Sequence, residues 1–210
     1  ISVAHGYHAI ALMRQFLNVG FDNPTISGRR FTSPLVAGPN RSGPPAAEAK
    51  VDSTQDLVCF DFGDKLGLYD FAGAQYFSCI RRLRLLVRGE RGELCDNEAA
   101  YLADFRTPVH VRFDRHEAGQ NGNLEGYYLK GIQAGERWFY QNPLAPARLS
   151  DDEIAVGTCL LKMAQYVRTG QEFYSLAEAC QDAYLDLLAQ EALKSGQPVQ
   201  ARSQPWCVEH

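Results

Sequence analysis

The stretch LVCFDFGDKLGLYDF, residues 57–71, decides how the middle of this chain folds. Val58, Phe60 and Phe62 alternate with polar or small residues, which is the period of a strand with one buried face. The polar turn GDK follows, and LGLYDF returns as a second strand. The pattern predicts a β-hairpin, and strands joined by so short a turn pair in antiparallel fashion.

Further strands are expected on both sides of this hairpin. The stretch RLRLLVRGERGEL, residues 82–94, has Gly89 and Gly92 around a tight turn and predicts a second strand pair. TPVHVRFDR and YYLKGI, which follow it, are additional strand candidates. On the N-terminal side, residues 23–38 are expected to be extended, and the Pro- and Gly-rich residues 39–50 to form a surface loop.

Helices are predicted at both ends of the chain. The first spans about residues 6–18, with Ile10, Met13 and Leu17 on one face. Near the end, Ser150 with Glu153 forms a capping-box signature, and the helix that follows keeps Ile154, Leu160, Leu161, Ala164 and Val167 as its apolar positions. A similar signature at Ser175 opens a last helix with the apolar stripe Leu176, Ala179, Cys180, Ala183, Tyr184, Leu187 and Leu188. Helix, strands and two helices in this order predict an α+β fold.

The composition bounds the class of protein. The chain has 210 residues, 45% hydrophobic and 22% charged, with a formal net charge of −4. Acidic balance argues against nucleic acid and anionic membrane as partners, and no apolar run is long enough for a membrane span. The six cysteines include no C-x-x-C pair, so we expect reduced, buried thiols in a cytoplasmic protein.

The sequence lacks the common cofactor and hydrolase motifs. A dinucleotide site needs a strand, G-x-G-x-x-G and a helix, because the glycines let the backbone approach the pyrophosphate. Neither RGERGEL nor GQNGNLEG has this spacing, and G-x-S-x-G and H-E-x-x-H are absent. The chain begins with Ile1 and enters a helical pattern within a few residues, so we expect it to be a piece of something longer.

Three stretches together resemble the C-terminal half of the Gfo/Idh/MocA family of NAD(P)-dependent sugar and inositol oxidoreductases. HGYHAIALMRQFLNVG, residues 5–20, is similar to the D-x-G-x-H-x-x-D helix of that family. VRGERGEL resembles its G-x-x-G strand turn, and YSLAEACQDAYLDLLAQEALKSGQPV resembles its closing helix with the SG-x-x-V exit. The likeness spans roughly residues 1–200.

The resemblance implies a fold for this chain and assigns substrate binding and cofactor binding to different domains. It implies an open, mainly antiparallel β-sheet covered by helices on one face, as in the C-terminal domain of glyceraldehyde-3-phosphate dehydrogenase. Residues 1–200 would form this substrate-binding and oligomerisation domain, residues 201–210 a loose tail, and a Rossmann domain outside this chain would hold NAD or NADP and supply a catalytic Lys. One sheet face would line the substrate pocket and the other would join subunits into a homo-oligomer.

His8 is the candidate catalytic residue, as the proton acceptor for a substrate hydroxyl. An imidazole suits this work because its ordinary pKa lies near neutrality. The family pattern places Asp where this chain has Ala4, and often where it has Ala11, so His8 must find another partner, such as His5, or act as a weaker base. The alternatives are a helix-start histidine bonded to a backbone carbonyl, and a zinc site with His5, for which the sequence places no third ligand.

Candidate substrate-binding residues are His5 and Tyr7 beside His8, and Gln75, Tyr76 and Arg81 after the hairpin. Their alternative is ordinary packing, with the arginines solvated. Gln120, Asn121 and Asn123 are suited to reach a polyol, although turn chemistry explains the same composition. Trp138, Phe139 and Tyr140 beside Lys130 and Arg137 are expected to serve core or subunit packing.

The expected function is hydride transfer between NAD(P) and a hydroxyl of a sugar, inositol or glycoside, with the chain inactive without the Rossmann domain. The expected partners are therefore a small sugar or polyol and further copies of the chain. A non-enzymatic carbohydrate-binding or oligomerisation module of the same fold is the alternative, favoured by Ala4 in place of Asp. A His5/His8 metal hydrolase is a third reading, which requires bound metal.

Overall fold

The computed structural model describes residues 1, 6–119 and 126–207, which form two compact units. The first takes the described residues of Ile1–Leu86 and Ser175–His210, and the second takes those of Val87–Tyr174. Helices and antiparallel sheets occur together in this part of the chain, so the α+β class is confirmed. The described strands lie in three separate sheets, whereas the family resemblance implies a single open sheet.

The first unit contains a four-stranded sheet and two helices. Its elements are α1 (Gly6–Leu17), β1 (Thr25–Val36), β2 (Lys50–Asp61), β3 (Leu66–Ala72), α3 (Leu176–Ser195) and β11 (Val199–Gln200). The sheet order is β11-β1-β2-β3 and every neighbouring pair is antiparallel. The hairpin predicted at residues 57–71 is confirmed: it consists of the last residues of β2, the turn 62–65 and β3.

The core of the first unit lies between this sheet and its helices. Ile26, Val58 and Phe60 point from the sheet into a cluster with Ile10 of α1 and Leu185 of α3, all at most 2% exposed. Burial of such side chains stabilises the fold by roughly 1.5–3 kcal/mol each. The alternation predicted for Val58 and Phe60 therefore selects the face that α1 and α3 cover.

The buried face of α3 differs from the predicted apolar stripe. The helix buries Gln181, Asp182, Leu185, Ala189 and Ala192. In contrast, Leu176, Ala183 and Leu187, three members of the predicted stripe, are exposed. Two polar side chains lie on the inner face because each has a specific partner, which periodicity of apolar residues does not reveal.

The partner of Asp182 is Arg14 of α1. The guanidinium bonds the Asp182 carboxylate through Nη1, while Nε and Nη2 donate to the Gly20 carbonyl at 2.9 and 2.7 Å. Nη1 also donates to the Glu178 carbonyl at 3.3 Å. Arg14 therefore ties the end of α1 to the first half of α3. 

The segment after β11 is not a loose tail as far as the described residues reach. The amide of Ala201 donates to the Pro24 carbonyl at 3.0 Å, and the amide of Arg202 donates to the Tyr184 hydroxyl at 3.0 Å. Trp206 Nε1 donates to Gln181 Oε1 at 3.0 Å. Residues 202–206 therefore contact α3, because the half-buried Tyr184 and the buried Gln181 offer them polar partners.

The face of the sheet opposite the helices carries solvent-exposed apolar side chains. On β1, β2 and β3 it presents Phe31, Leu57, Leu66 and Leu68, which are all exposed. We call these four residues the outer sheet face. An exposed apolar cluster of this kind is characteristic of an association surface.

The second unit is built from hairpins and one helix. Its elements are β4 (Leu86–Gly89), which begins at the last residue of the first unit, β5 (Gly92–Cys95), β6 (Glu98–Leu102), β7 (Pro108–Arg112), β8 (Asp114–Ala118), β9 (Tyr128–Ala134), β10 (Arg137–Gln141) and α2 (Asp151–Thr169). One sheet has the order β4-β5-β6-β7 and the other β10-β9-β8. The predicted turn between Gly89 and Gly92 and the strand predicted at residues 127–132 are confirmed. Residues 107–115, predicted as one strand, are instead divided at Phe113 between β7 and β8, which lie in different sheets.

The capping box of α2 is confirmed, but its predicted apolar face is not buried. The Ser150 hydroxyl accepts from the Glu153 amide and the Glu153 carboxylate accepts from the Ser150 amide, at 3.3 and 2.8 Å. Of the residues that the sequence assigns to the apolar face, Ile154 is buried, whereas Leu160, Leu161, Ala164 and Val167 are exposed. Local capping therefore fixes where α2 begins, independently of what its sides contact.

The cysteines are unpaired, as expected, but they are not buried. Cys59, Cys180 and Cys207 are half-buried, and Cys79, Cys95 and Cys159 are exposed. The prediction of buried thiols was wrong because the apolar runs around several of them, such as GTCLLKM in α2, lie on exposed faces. Within the described ranges, no helix combines the length and apolar character needed to cross a bilayer.

Candidate functional site

The first turn of α1 places His8 on the surface. Ala9, Ile10 and Met13 turn toward the core, so the opposite side of the helix carries Tyr7 and His8, which are both exposed. Their ring centroids lie 4.3 Å apart with the planes tilted by 45°. The imidazole predicted to be catalytic is therefore accessible to a ligand rather than sealed in apolar packing.

The inner side of this turn is in contact with a carboxylate that the sequence did not single out. A methyl group at Gly6 would overlap the side chain of Asp186 from α3, so a glycine is needed for this close approach. Burial raises the pKa of the half-buried Asp186 carboxyl, while a bond from Gln190 acts in the opposite direction. This contact joins α3 to α1, and no local signal in the sequence marks Asp186 for it.

Tyr69 of β3 adds a phenol to the same unit. Burial, followed by the negative charges of Asp56 and Asp186, raises the pKa of Tyr69 to about 12. Asp56 is itself held by Arg30, whose Nε and Nη2 donate to the two carboxylate oxygens at 2.6 and 2.7 Å. Tyr69 therefore keeps its proton at neutral pH and is suited to donate a hydrogen bond, not to act as a base.

Gln75, Tyr76 and Arg81 lie in the turns that follow β3. Gln75 Oε1 accepts from the Ala72 amide at 2.8 Å, and the amide of Arg81 donates to the Ser78 hydroxyl at 2.9 Å. The Tyr76 ring contacts Phe77 edge to face at 4.7 Å. The structure thus brings Gln75 and Tyr76 together in the turn after β3, and Tyr7 and His8 together in the first turn of α1. The bonds made by Gln75 Oε1 and by the Arg81 amide stabilise the local turns.

Some candidates lie outside the described residues. These are His5 and Ala4 near the start, and Gln120, Asn121 and Asn123 in the loop after β8. In the part of the chain that is described, no three His, Cys, Asp or Glu side chains are arranged to hold a metal ion.

The described residues do not fit a bound dinucleotide. Such a site needs a strand followed by a glycine turn and a helix N-terminus with open amides. The α2 and α3 N-termini are instead capped by their own Ser150 and Ser175 hydroxyls, and the neighbouring strands are linked as antiparallel pairs. Neither α2 nor α3 therefore offers this arrangement.

The aromatic run of β10 is less buried than predicted. Trp138 and Phe139 are exposed and Tyr140 is half-buried, so the described fold does not place this run in a core. Phe139 borders a cavity of about 660 Å³ within the second unit. Neither His8 nor Gln75 lines this cavity.

The comparisons with known proteins identify no relative. No protein-family model matches the chain, and neither the curated proteins nor the solved structures that were searched include a similar one.

Proposed function

We propose that this chain is the substrate-binding and assembly half of an oxidoreductase that transfers a hydride between NAD(P) and a hydroxyl of a sugar, inositol or glycoside. The observation that carries the proposal is the accessible imidazole of His8 in the first turn of α1, beside the Tyr7 ring. The Gfo/Idh/MocA-like fold and a cytoplasmic location belong to the same proposal. The six unpaired cysteines favour a reducing compartment.

His8 performs the proton chemistry in this proposal. A neutral imidazole nitrogen accepts the hydroxyl proton as the carbon–oxygen double bond forms, and the imidazolium later returns that proton to solvent. A nicotinamide held outside the described residues would supply the hydride acceptor. Tyr7 and the polar side chains of Gln75, Tyr76 and Arg81 are proposed to bind substrate hydroxyls.

Asp186 is proposed to support this turn in the absence of the family's Asp at position 4. Its carboxylate packs against Gly6, the first residue of α1. Negative charge at a helix N-terminus is favourable, so the carboxylate stabilises the turn that carries His8. This contact orients the helix and does not touch the substrate.

The test begins with the coding sequence upstream of Ile1. The proposal is supported by a strand followed by G-x-G-x-x-G and by an E-K-P motif, which would carry the catalytic Lys, in the same reading frame. A start codon or an unrelated domain there contradicts it. The whole polypeptide is then assayed for NAD and NADP reduction over a panel of sugars, inositols and glycosides.

Replacing His8 tests its role. We expect His8→Ala to lower kcat by about 100-fold or more, the usual contribution of a general base. His110→Ala is the matched control, since His110 is an exposed histidine of the second unit. Unchanged turnover of His8→Ala would remove His8 from the mechanism.

A non-enzymatic module of the same fold is the second candidate, and the outer sheet face favours it. Phe31, Leu57, Leu66 and Leu68 provide an apolar surface for self-association that needs no catalytic residue. This candidate expects self-association or sugar binding by the chain, with no reduction of NAD(P) by the whole polypeptide.

A further inference from the structure

The second unit contains a cavity of about 660 Å³ whose lining suits a small molecule. This volume lies in the range of known ligand sites, which are mostly apolar with a few polar groups that fix orientation. Leu94 and Ile132 contribute half-buried aliphatic surface to the lining, and aromatic and charged side chains complete it.

Two phenylalanines form an apolar corner of the cavity. The rings of Phe113 and Phe139 lie 5.0 Å apart, centroid to centroid, and are nearly perpendicular at 82°. Phe139 is 52% exposed although it lies within β10. Such a corner can pack against a ring that presents C–H groups, and doing so would remove exposed aromatic surface from water.

A rigid polar rim stands beside this corner. Asp96 and Asn97 form the two-residue turn between β5 and β6, and Asp96 has the left-handed φ of 54° that such hairpin turns require. The Phe113 amide donates to the Asn97 carbonyl at 2.8 Å, and Asn97 Nδ2 donates to the Phe113 carbonyl at 3.4 Å. The turn and the backbone of Phe113 are therefore fixed relative to each other before a ligand arrives.

The two arginines of the cavity lining are paired with carboxylates of the protein. Arg112 Nε lies 3.1 Å from Asp114 Oδ1. Arg115 bonds Glu117, and its Nη2 donates to Asp151 Oδ1 at 2.7 Å. An anionic ligand must therefore compete with carboxylates that the arginines already hold.

A cationic ligand is disfavoured as well. The guanidinium of Arg137 lies over the Phe139 ring, 5.0 Å from its centroid, so a ligand cation would meet a like charge close to this ring. A neutral hydroxyl group need not displace these ion pairs. It can donate to a carboxylate, or accept from a guanidinium, while the arginine and the carboxylate stay bonded to each other.

We propose that this cavity binds a neutral ring that carries several hydroxyl groups, such as a pyranose or a cyclitol. The ring's C–H groups pack in the Phe113–Phe139 corner, and its hydroxyls bond the side chains of Asp96, Asn97 and Asp114. The proposal goes beyond the oxidation described above, because it involves neither His8 nor NAD(P).

The test titrates the ¹⁵N-labelled chain with methyl β-D-glucopyranoside and with myo-inositol, without NAD(P), and follows the amide signals. We expect saturable shifts at Asn97, Phe113 and Phe139 with millimolar Kd. Phe139→Ala should weaken binding about tenfold, the equivalent of about 1.4 kcal/mol. Asp114→Asn, a surface change that leaves the apolar corner intact, should weaken binding several-fold.

Phe105→Ala is the matched control. Phe105 is 76% exposed and also lies under an arginine, with the Arg106 guanidinium 4.5 Å from its ring centroid, but it does not line the cavity. Its replacement should leave Kd unchanged. Any of three results overturns the proposal: no saturable shift at the cavity, an equal loss in Phe105→Ala, or tighter binding of glucose 6-phosphate or glucosamine than of the neutral glucoside. None of them bears on the role of His8.

Discussion

Arg14 and Asp182 show how single residues hold the first unit together. Both are almost fully buried, with 6% and 3% of their surface exposed. Each charge has left water and depends on the other, together with the carbonyls of Gly20 and Glu178. The pair therefore contributes more to the choice of one arrangement of α1 against α3 than to net stability.

Removing one member of this pair should destabilise the protein strongly. We expect Arg14→Met to lower the free energy of unfolding by about 3–5 kcal/mol, because it leaves the Asp182 carboxylate buried without its cation. Urea denaturation of the single variants and of the double variant Arg14→Met with Asp182→Leu measures this. The double variant should lose less than either single variant.

The exposed pair of Arg88 and Glu93 is the control. Its Nε–Oε2 distance is 2.7 Å, but both side chains are largely in solvent. Arg88→Met should therefore change the free energy of unfolding by less than about 1 kcal/mol. Equal losses at Arg14 and Arg88 would contradict the interpretation of the buried pair.

Residues of the candidate site were only partly predictable. The phase of the α1 apolar positions, Ile10 and Met13, is enough to place His8 on the other side of the helix. Nothing local marks Asp186 as the side chain that meets Gly6, because that contact joins residues 180 positions apart. Chemistry that depends on such distant pairs is the part that a sequence pattern does not contain.

At the scale of elements, the ends of the helices were easier to predict than the sides that they bury. Capping serines and left-handed glycines act within a few residues, so Ser150, Ser175, Gly170 and Gly196 predict the ends of α2 and α3. Which side of α3 is buried depends instead on Arg14 and Trp206, which lie elsewhere in the chain. The predicted stripe therefore selected several apolar residues that are in solvent.

Two leucines of α3 test the corrected face. Leu185 is 1% exposed and Leu187 is 68% exposed. Leu185→Ala should lower the free energy of unfolding by about 2–5 kcal/mol because it leaves a cavity in the core. Leu187→Ala should lower it by less than about 1 kcal/mol.

Thermal unfolding followed by circular dichroism compares the two variants in the same helix, so differences in helix propensity cancel. If Leu187→Ala is the more damaging change, the predicted stripe is right and the face described here is wrong.

At the scale of the whole molecule, the order of helices and strands was predictable and the grouping of strands was not. Turn residues such as GDK at 63–65 and the pair Gly89 and Gly92 fix which strands are hairpin partners. The separation into three sheets depends on two breaks: the segment 73–85, which forms turns instead of strands, and Phe113, where β7 ends before β8 begins. The local alternation of apolar and polar residues does not show where one sheet ends and the next begins.

Assembly through the outer sheet face is the prediction at this scale. Replacing Leu57 and Leu68 with Asp should shift the chain from oligomer to monomer, because charged groups on both strands oppose burial of the face. Light scattering coupled to size-exclusion chromatography measures the mass.

Ile80→Asp is the control, since Ile80 is highly exposed but lies outside this face. A wild-type chain that is monomeric at all concentrations would contradict assembly through the sheet.

The long excursion of the chain between β3 and α3 has a consequence for synthesis on the ribosome. Strand β1 pairs with β11 through Ile26 and Val199, and α3 covers the inner side of the sheet. While the nascent polypeptide is still being extended through the second unit, β1, β2 and β3 have neither this cover nor this edge partner. Contacts so far apart in sequence slow folding, so we expect a long-lived, aggregation-prone intermediate that favours chaperone binding until α3 and β11 have emerged.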